Sequence, residues 1–384
     1  MIKQNFIEKL LDGVEVENKK IKDIASVLIG EFVHKNKQKD DAEYPVYNGG
    51  TSYTGFYNEF NRTKDKIIIS ARGANAGYVN RVFTNFWSGN SCYTIDVFDD
   101  KVDWNYLYYY IKDRENSFLD GQQKGGIPAV SKKQVEQFDI TIPPLKVQTK
   151  IVRILDAFTE LTAELTAELT ARKKQYDYYR DKLFSFEDEE VEWKTLGEVA
   201  EYSKNRISFE KLDENNYVGV DNLLQNREGK TISTRVPKKG NSTQYNSNDI
   251  LIGNIRPYLK KIWFSDRTGG TNGDVLVINI INKFIKPRFL YQVLADDKFF
   301  DYNMQHAKGA KMPRGNKNRI MEYLIPIPYP NDTKKSLEEQ ERIVSILDKF
   351  EALTTSISEG LPREIELRQK QYEYYRNMLL SFSK

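Results

Sequence analysis

Cysteine is almost absent from this 384-residue chain: Cys92 stands alone, which excludes an internal disulfide and a cysteine-based zinc site. A lone thiol of this kind is expected to be a small buried apolar residue rather than a nucleophile. Histidine is equally scarce, with only His34 and His306, far apart and without metal-ligand spacing. No apolar run approaches the roughly 20 residues that span a bilayer, and the start, MIKQNFIEKLLDG, lacks an apolar signal core, so a cytoplasmic protein without membrane contact is expected. No Gly-x-x-x-x-Gly-Lys-Ser/Thr phosphate loop occurs. No Asn/Asp-Pro-Pro-Tyr/Phe amino-methylation motif occurs either; Ile142-Pro-Pro-Leu145 lacks the polar residue that would hold a target amine. Arg72-Gly-Ala-Asn-Ala-Gly77 is too short for a dinucleotide loop. Glu192-Trp-Lys194 mimics the tail of a nuclease metal site. Its spacing recurs at Glu17-Asn-Lys19, in the same repeat frame, which favours a structural role.

What is present is a soluble, globular composition, with 39% hydrophobic and 29% charged residues, and length enough for two or three domains. Net charge is only +3, so the local clusters carry the information: Lys35, Lys37 and Lys39; Arg62, Lys64 and Lys66; Lys308, Lys311, Arg314, Lys317 and Arg319. Tyrosine is abundant, at 24 residues. Aromatic and basic side chains interleaved in loops are the groups that contact base edges and phosphates.

The chain repeats. Gln148-Thr-Lys-Ile-Val-Arg-Ile-Leu-Asp-Ala-Phe158 matches Gln340-Glu-Arg-Ile-Val-Ser-Ile-Leu-Asp-Lys-Phe350, and Arg172-Lys-Lys-Gln-Tyr-Asp-Tyr-Tyr-Arg180 matches Arg368-Gln-Lys-Gln-Tyr-Glu-Tyr-Tyr-Arg376. More weakly, Val16–Ala25 aligns with Val191–Ala200, Asp65–Arg72 with Asp249–Arg256, and Ile140-Thr-Ile-Pro143 with Ile325-Pro-Ile-Pro328. Each half is thus a variable part followed by a strongly matched part. The variable parts are expected to be mixed α/β. Short β-branched runs such as Lys66-Ile-Ile-Ile69 and Val275-Leu-Val-Ile-Asn279 are flanked by turn residues, and Trp104–Arg114 and Pro287–Phe300 read as helices. The Ile-Pro elements cannot continue a helix and close each variable part.

The matched parts are expected to be long helices. Ile151, Ile154, Leu155, Phe158, Leu161, Leu165 and Leu169 form one apolar stripe, and Ile343, Ile346, Leu347, Phe350, Leu353 and Ile357 begin its counterpart. Gly360 and Pro362 predict a kink or break in the second. Thr162-Ala-Glu-Leu165 is repeated at once as Thr166-Ala-Glu-Leu169, which reads as a spacer of adjustable length. Two such stripes are buried most economically against each other, as an antiparallel coiled-coil pair. The expected fold is therefore mixed α/β (α+β): a first domain over 1–143, a central helical repeat over 144–186, a second domain over 187–328 and a C-terminal helical repeat over 329–384, related by a pseudo-twofold.

Two variable segments each closing on Ile-Pro, then Gln-x-x-Ile-Val-x-Ile-Leu-Asp, then a helix ending in Gln-Tyr-x-Tyr-Tyr-Arg, resemble the specificity subunit of type I restriction-modification enzymes over nearly the whole chain. The resemblance implies that each variable segment is a target-recognition domain for one half of a split duplex-DNA site. It also implies that the paired helices hold the domains apart and dock two methyltransferase subunits, with motor-nuclease subunits joining that core. The subunit itself would be non-catalytic and without cofactor; S-adenosylmethionine, ATP and Mg would be used on the partner subunits. Lys9-Leu10-Leu11 before Val16 resembles the end of a helical repeat, in keeping with the family's circular organisation.

Candidate DNA contacts are Lys308, Lys311, Arg314, Asn316 and Lys317 in a Gly-rich basic stretch, and Arg256, Tyr258, Lys260 and Lys261 beside the second strand run. In the first domain the counterparts are Arg72, Asn75 and Lys124, with Arg62 and Lys64 as phosphate contacts. Tyr176, Tyr178, Tyr179, Tyr372, Tyr374 and Tyr375 are the candidate partner-docking residues, because tyrosine is a common interface anchor. Two other readings fit the same pattern: a recognition subunit for another restriction type, or a coiled-coil scaffold that does not bind DNA.

Overall fold

Isoleucine runs in the middle of each variable part are buried on both faces, which is why they show no alternation. In Lys66–Ser70, Ile67 and Ile69 enter the main core of their unit while Ile68 enters a small second core with Val82, Phe86 and Cys92. In Ile250–Gly253, Ile250 and Ile252 enter one core and Leu251 another, in the same way. The computed structural model describes residues 10–120, 126–187, 190–355 and 360–382. It separates into two units, Met1–Ala163 together with Leu367–Lys384, and Glu164–Glu366.

The strands of the first unit are β1 (Glu17–Lys20), β2 (Ala25–Ile29), β3 (Tyr44–Tyr47), β4 (Gly55–Tyr57), β5 (Lys66–Ser70), β6 (Val79–Val82), β7 (Trp87–Ser88), β8 (Cys92–Val97) and β9 (Asp139–Ile142). Those of the second are β10 (Val191–Thr195), β11 (Ala200–Tyr202), β12 (Arg206–Ser208), β13 (Tyr217–Val218), β14 (Asn241–Tyr245), β15 (Ile250–Gly253), β16 (Ile262–Phe264), β17 (Gly269–Thr271), β18 (Val275–Ile280) and β19 (Leu324–Pro328). The main sheets share one topology, β2-β8-β5-β6 and β11-β18-β15-β16. The second sheets differ, β4-β3-β7 against β12-β14-β17-β13. Each Ile-Pro element is a strand paired antiparallel with the strand that opens its unit, β9 with β1 and β19 with β10. Pro326 and Pro328 are tolerated within β19 because this is a two-stranded ladder, where every strand is an edge, while Pro143 lies just past the end of β9. The Glu-x-Lys strings lie on those opening strands and pair internally, Glu17 with Lys19 at 3.1 Å and Glu192 with Lys194 at 3.2 Å. No group of three metal-ligating side chains occurs among the described residues.

Strand register corrects the sequence alignment by one residue. Ile67 pairs with Ile95 where Ile250 pairs with Ile278, and Ser70 pairs with Cys92 where Gly253 pairs with Val275. Position 67 therefore matches 250, and Asp65 (φ +61°) matches Asn248 (φ +72°), not Asp249. Arg72 thus corresponds to Ile255, and Gly73 to Arg256.

The first matched part is one helix of 39 residues, Leu145–Leu183. At 1.5 Å per residue it is about 58 Å long. The second is two helices, Thr333–Thr355 and Gly360–Leu379. Gly360 has φ +76°, and a Cβ there would lie 2.5 Å from the Ala352 carbonyl oxygen and 2.7 Å from that of Leu353. The helical backbone cannot pass through it. Pro287–Phe300 is likewise two helices, Pro287–Leu294 and Asp297–Gln305, the second capped by the Asp296 carboxylate. No helix among the described residues is long and apolar enough to cross a membrane.

The matched motif now has a residue-by-residue reason. Gln148 and Gln340 are fully buried. Gln148 donates to the Pro143 and Lys101 carbonyls and accepts from the Asp103 N–H; Gln340 donates to Phe284 and accepts from Lys286 N–H. Each amide satisfies backbone groups at the start of a domain helix that would otherwise be orphaned. Ile151 and Leu155, like Ile343 and Leu347, fill the domain cores.

Candidate nucleic-acid interface

The two basic groups of the second unit are brought together. The turn after β15 runs Arg256-Pro-Tyr-Leu-Lys260, with a 3-10 segment, Pro257–Leu259, between two residues in the left-handed region, Arg256 (φ +54°) and Lys260 (φ +50°). Leu259 N–H donates to the Arg256 carbonyl at 2.9 Å. Arg256 N–H donates to the Pro313 carbonyl at 2.7 Å, and Gly315 N–H to that of Asn254 at 3.0 Å, so the Gly-rich stretch is zipped onto this turn. Lys308 and Arg314 exchange both backbone hydrogen bonds, closing that stretch into a narrow loop. Arg256, Tyr258, Lys308, Lys311 and Arg314 are exposed on the joined loops. Arg314 is drawn towards Asp274 at 2.6 Å.

Other members of the expected set serve the scaffold. The Lys261 amine donates to the Val220 carbonyl at 2.6 Å, and burial lowers its pKa. Lys260 pairs with Asp297 at 2.9 Å, and burial with the neighbouring Arg227 lowers its pKa. Asn316 caps the Lys317–Met321 helix, its side-chain oxygen accepting from the N–H groups of Asn318 and Arg319. Lys317 is exposed, its amine over the Tyr202 ring.

The first unit builds the same scaffold with other side chains. Gly73-Ala-Asn-Ala-Gly77 takes the place of Arg256–Lys260: Ala76 N–H donates to the Gly73 carbonyl at 2.9 Å, and Gly73 (φ +93°) and Gly77 (φ +86°) hold the two left-handed positions. Gly73 N–H donates to Pro128 and Val130 N–H to Ala71, reproducing the bonds of Arg256 and Gly315. Asn75 stands where Tyr258 stands, and Arg72 and Asn75 are exposed. Lys64 is exposed as well, whereas Arg62 donates to the Ile29 and Asn61 carbonyls and supports the fold. Lys124 lies outside the described residues.

Sequence reasoning missed a third loop in each unit. Asn48-Gly-Gly50 follows β3, and the Gly50 carbonyl accepts from Ser70 Oγ at 2.9 Å. In the second unit Val220, after β13, accepts from Lys261. The Asn-Gly-Gly signature marks a turn; only the sheet pairing puts it beside Arg72.

The family model of the type I restriction modification DNA specificity domain matches the chain twice, at residues 13–172 and 188–367. The chain belongs to the type I specificity-subunit family. Among curated relatives, it is similar to the type I restriction enzyme EcoR124I/EcoR124II specificity subunit of Escherichia coli, 34% identical over 100% of this chain and 98% of the relative. It is also similar to a putative type I restriction enzyme specificity subunit of Haemophilus influenzae, 31% identical over 99% of each. The S subunit of the Mycoplasma genitalium type I restriction-modification system shares the fold, with a TM-score of 0.66 at 18% identity over 97% of this chain and 98% of that one. DNA binding and target recognition follow from this membership.

Within this family assignment, the Tyr-rich motifs divide by orientation. Tyr375 stacks on Phe158 with centroids 5.5 Å apart, and Tyr179 on Phe350 at 5.6 Å. Tyr176 accepts from Arg180 at 2.6 Å, and Tyr372 packs against the first core. These four take part in packing, though Tyr179 remains 38% exposed; Tyr178 and Tyr374 are the more exposed pair, at 62% and 50%. The closing arginines are joints. Arg180 is buried and binds Asp296 at 2.8 Å in the second unit; Arg376 binds Asp113 at 2.7 Å in the first. Asp156 pairs with Arg81 at 2.8 Å, and Asp348 with Arg288 at 3.0 Å.

Proposed function

We propose that each unit reads one half of a bipartite duplex-DNA site, and that the helices set the unread gap and dock two methyltransferase subunits, joined by motor-nuclease subunits in the full complex. The observation that carries this reading is the loop scaffold built twice on one topology with different residues, Gly73, Asn75 and Ala129 against Arg256, Tyr258 and Arg314. A shared frame with divergent loops suits two unrelated half-sites. The domain boundaries, 1–143 and 187–328 for recognition, 144–186 and 329–384 for spacing, belong to this proposal. A chain similar to this one comes from work on complex assembly of the type I R-M system, with a TM-score of 0.54 and 13% identity. Tyr178 and Tyr374 are the tyrosines best placed for docking.

In this reading the chain performs no chemistry of its own. S-adenosylmethionine, ATP and Mg are used by its partners, and the Cys92 thiol, pushed by burial up to about 12, is no nucleophile. Methylome sequencing of a host carrying the operon tests the reading. The expected result is one methylated motif made of two unrelated half-sites with a fixed gap. A continuous motif, or none, contradicts it.

A further inference from the structure

Arg256 breaks a backbone rule that its counterpart obeys. A left-handed residue with a side chain is uncommon, and where the surroundings over-determine it, such strain marks a functional constraint. The first unit has glycine at both left-handed positions of this turn, Gly73 and Gly77; the second has Arg256 and Lys260. The backbone bonds that anchor the first position are shared, from the fourth residue of the turn back to it and from it to the neighbouring loop, so nothing in its construction calls for a cation there. Lys260 has an internal use, its ion pair with Asp297. Arg256 has none: it is exposed, and among the described residues no hydrogen bond or ion pair engages its guanidinium.

The turn is also rigid. Asn226 N–H donates to the Leu259 carbonyl and Arg227 N–H to that of Lys260, both at 3.0 Å, and Pro257 fixes one dihedral. Arg227 and Lys260 share Asp297, so the far end of the turn is pinned. A side chain on such a base loses little backbone entropy when it binds. That suits a group that must present a planar pair of donors in one direction, rather than one that merely neutralises phosphate.

We infer that Arg256 is the specificity-determining residue for one base pair of the second unit's half-site, donating two hydrogen bonds to O6 and N7 of a guanine in the major groove. This is the pairing that a forked guanidinium makes with base edges. The first unit has no counterpart side chain, since Gly73 stands there. Its half-site is read from Arg72, Asn75 and the neighbouring loop instead. The inference rests on the bipartite reading above.

Arg256→Gly is the decisive variant, because it installs the residue that the equivalent position already uses and removes the left-handed penalty. Its melting temperature is expected to be no lower than wild type. Arg256→Lys keeps the charge and loses the fork. Each variant is expressed in the full operon, and the methylome is read against wild type. For Arg256→Gly, one G·C pair of the second half-site is expected to relax, with discrimination falling about 5- to 150-fold. Arg256→Lys is expected to relax the same pair, and the first half-site to stay as it was. An unchanged motif overturns the inference, as does uniform loss of methylation with no change of motif, the signature of a phosphate contact. A second half-site without a G·C pair overturns it too. None of these results touches the bipartite reading, which fails only if the wild-type motif is not split.

Discussion

Asp296 has two tasks that one substitution separates. Its Oδ1 caps the Asp297–Gln305 helix through the Lys298 N–H at 2.8 Å, while Oδ2 holds the buried Arg180 guanidinium at 2.8 Å. Asparagine can still cap but leaves the arginine charge without its counter-ion. Removing one partner of a buried pair costs about 3–5 kcal/mol, so Asp296→Asn is expected to lose about that much in denaturant unfolding. A loss below about 1 kcal/mol would show that the Tyr176 and Gln292 contacts suffice. The arginine that closes each Tyr-rich motif stood out in the sequence, yet its role did not. Its partner acid lies 116 residues downstream for Arg180, in a part with no matching pattern. Arg314 and Lys311 were legible as a basic cluster, and their exposure agrees with a phosphate role. Replacing both by alanine keeps the backbone bridge to Lys308 and removes two cations. The slope of log affinity against log salt is then expected to fall by about 2, measured by titration on duplex DNA at several ionic strengths. An unchanged slope would assign both to the scaffold alone.

Among the elements, periodicity made the helices legible and turn chemistry misplaced a strand. The 3.6-residue stripe made a long helix legible within 144–186, found as Leu145–Leu183, and Gly360 with Pro362 marked a kink or break, which the φ of +76° at Gly360 makes a break. The one-residue alignment error has a definite cause. Asp and Asn both tolerate the left-handed region, so matching Asp65 to Asp249 by identity concealed its equivalence to Asn248 by conformation. Within the long helix, Leu161, Leu165 and Leu169 are half-buried while Glu164 and Glu168 are exposed, so each Thr-Ala-Glu-Leu unit adds length on one face. Deleting residues 166–169 shortens the helix by about 6 Å and turns it by about 400°, nearly a full turn, which spares the stripe. The unread gap is expected to shrink by about one to two base pairs at 3.4 Å each, with both half-sites unchanged. An unaltered gap with full methylation would reduce the segment to an ordinary amphipathic stretch.

At the scale of the molecule, sequence order and spatial units do not coincide. The first unit is completed by Leu367–Lys384, whose Tyr375, Leu379 and Leu380 join the same core as Ile151 and Leu155. A linear reading could find the repeat but not this exchange, because a stripe of leucines does not name its partner. On the proposed bipartite reading, residues 16–140 form a replaceable part on a retained socket. Residues 16–140 carry Arg81, Asp113 and the Asp103 N–H, while Asp156, Arg376 and Gln148 stay behind to receive them. The central claim is that two independent readers sit on one frame. It is tested most directly by replacing residues 16–140 with the corresponding segment of a relative that keeps the Asp113 and Arg81 equivalents, and then sequencing the methylome. The expected result is a new first half-site beside an unchanged second half-site and gap. A replacement that alters both half-sites would contradict it.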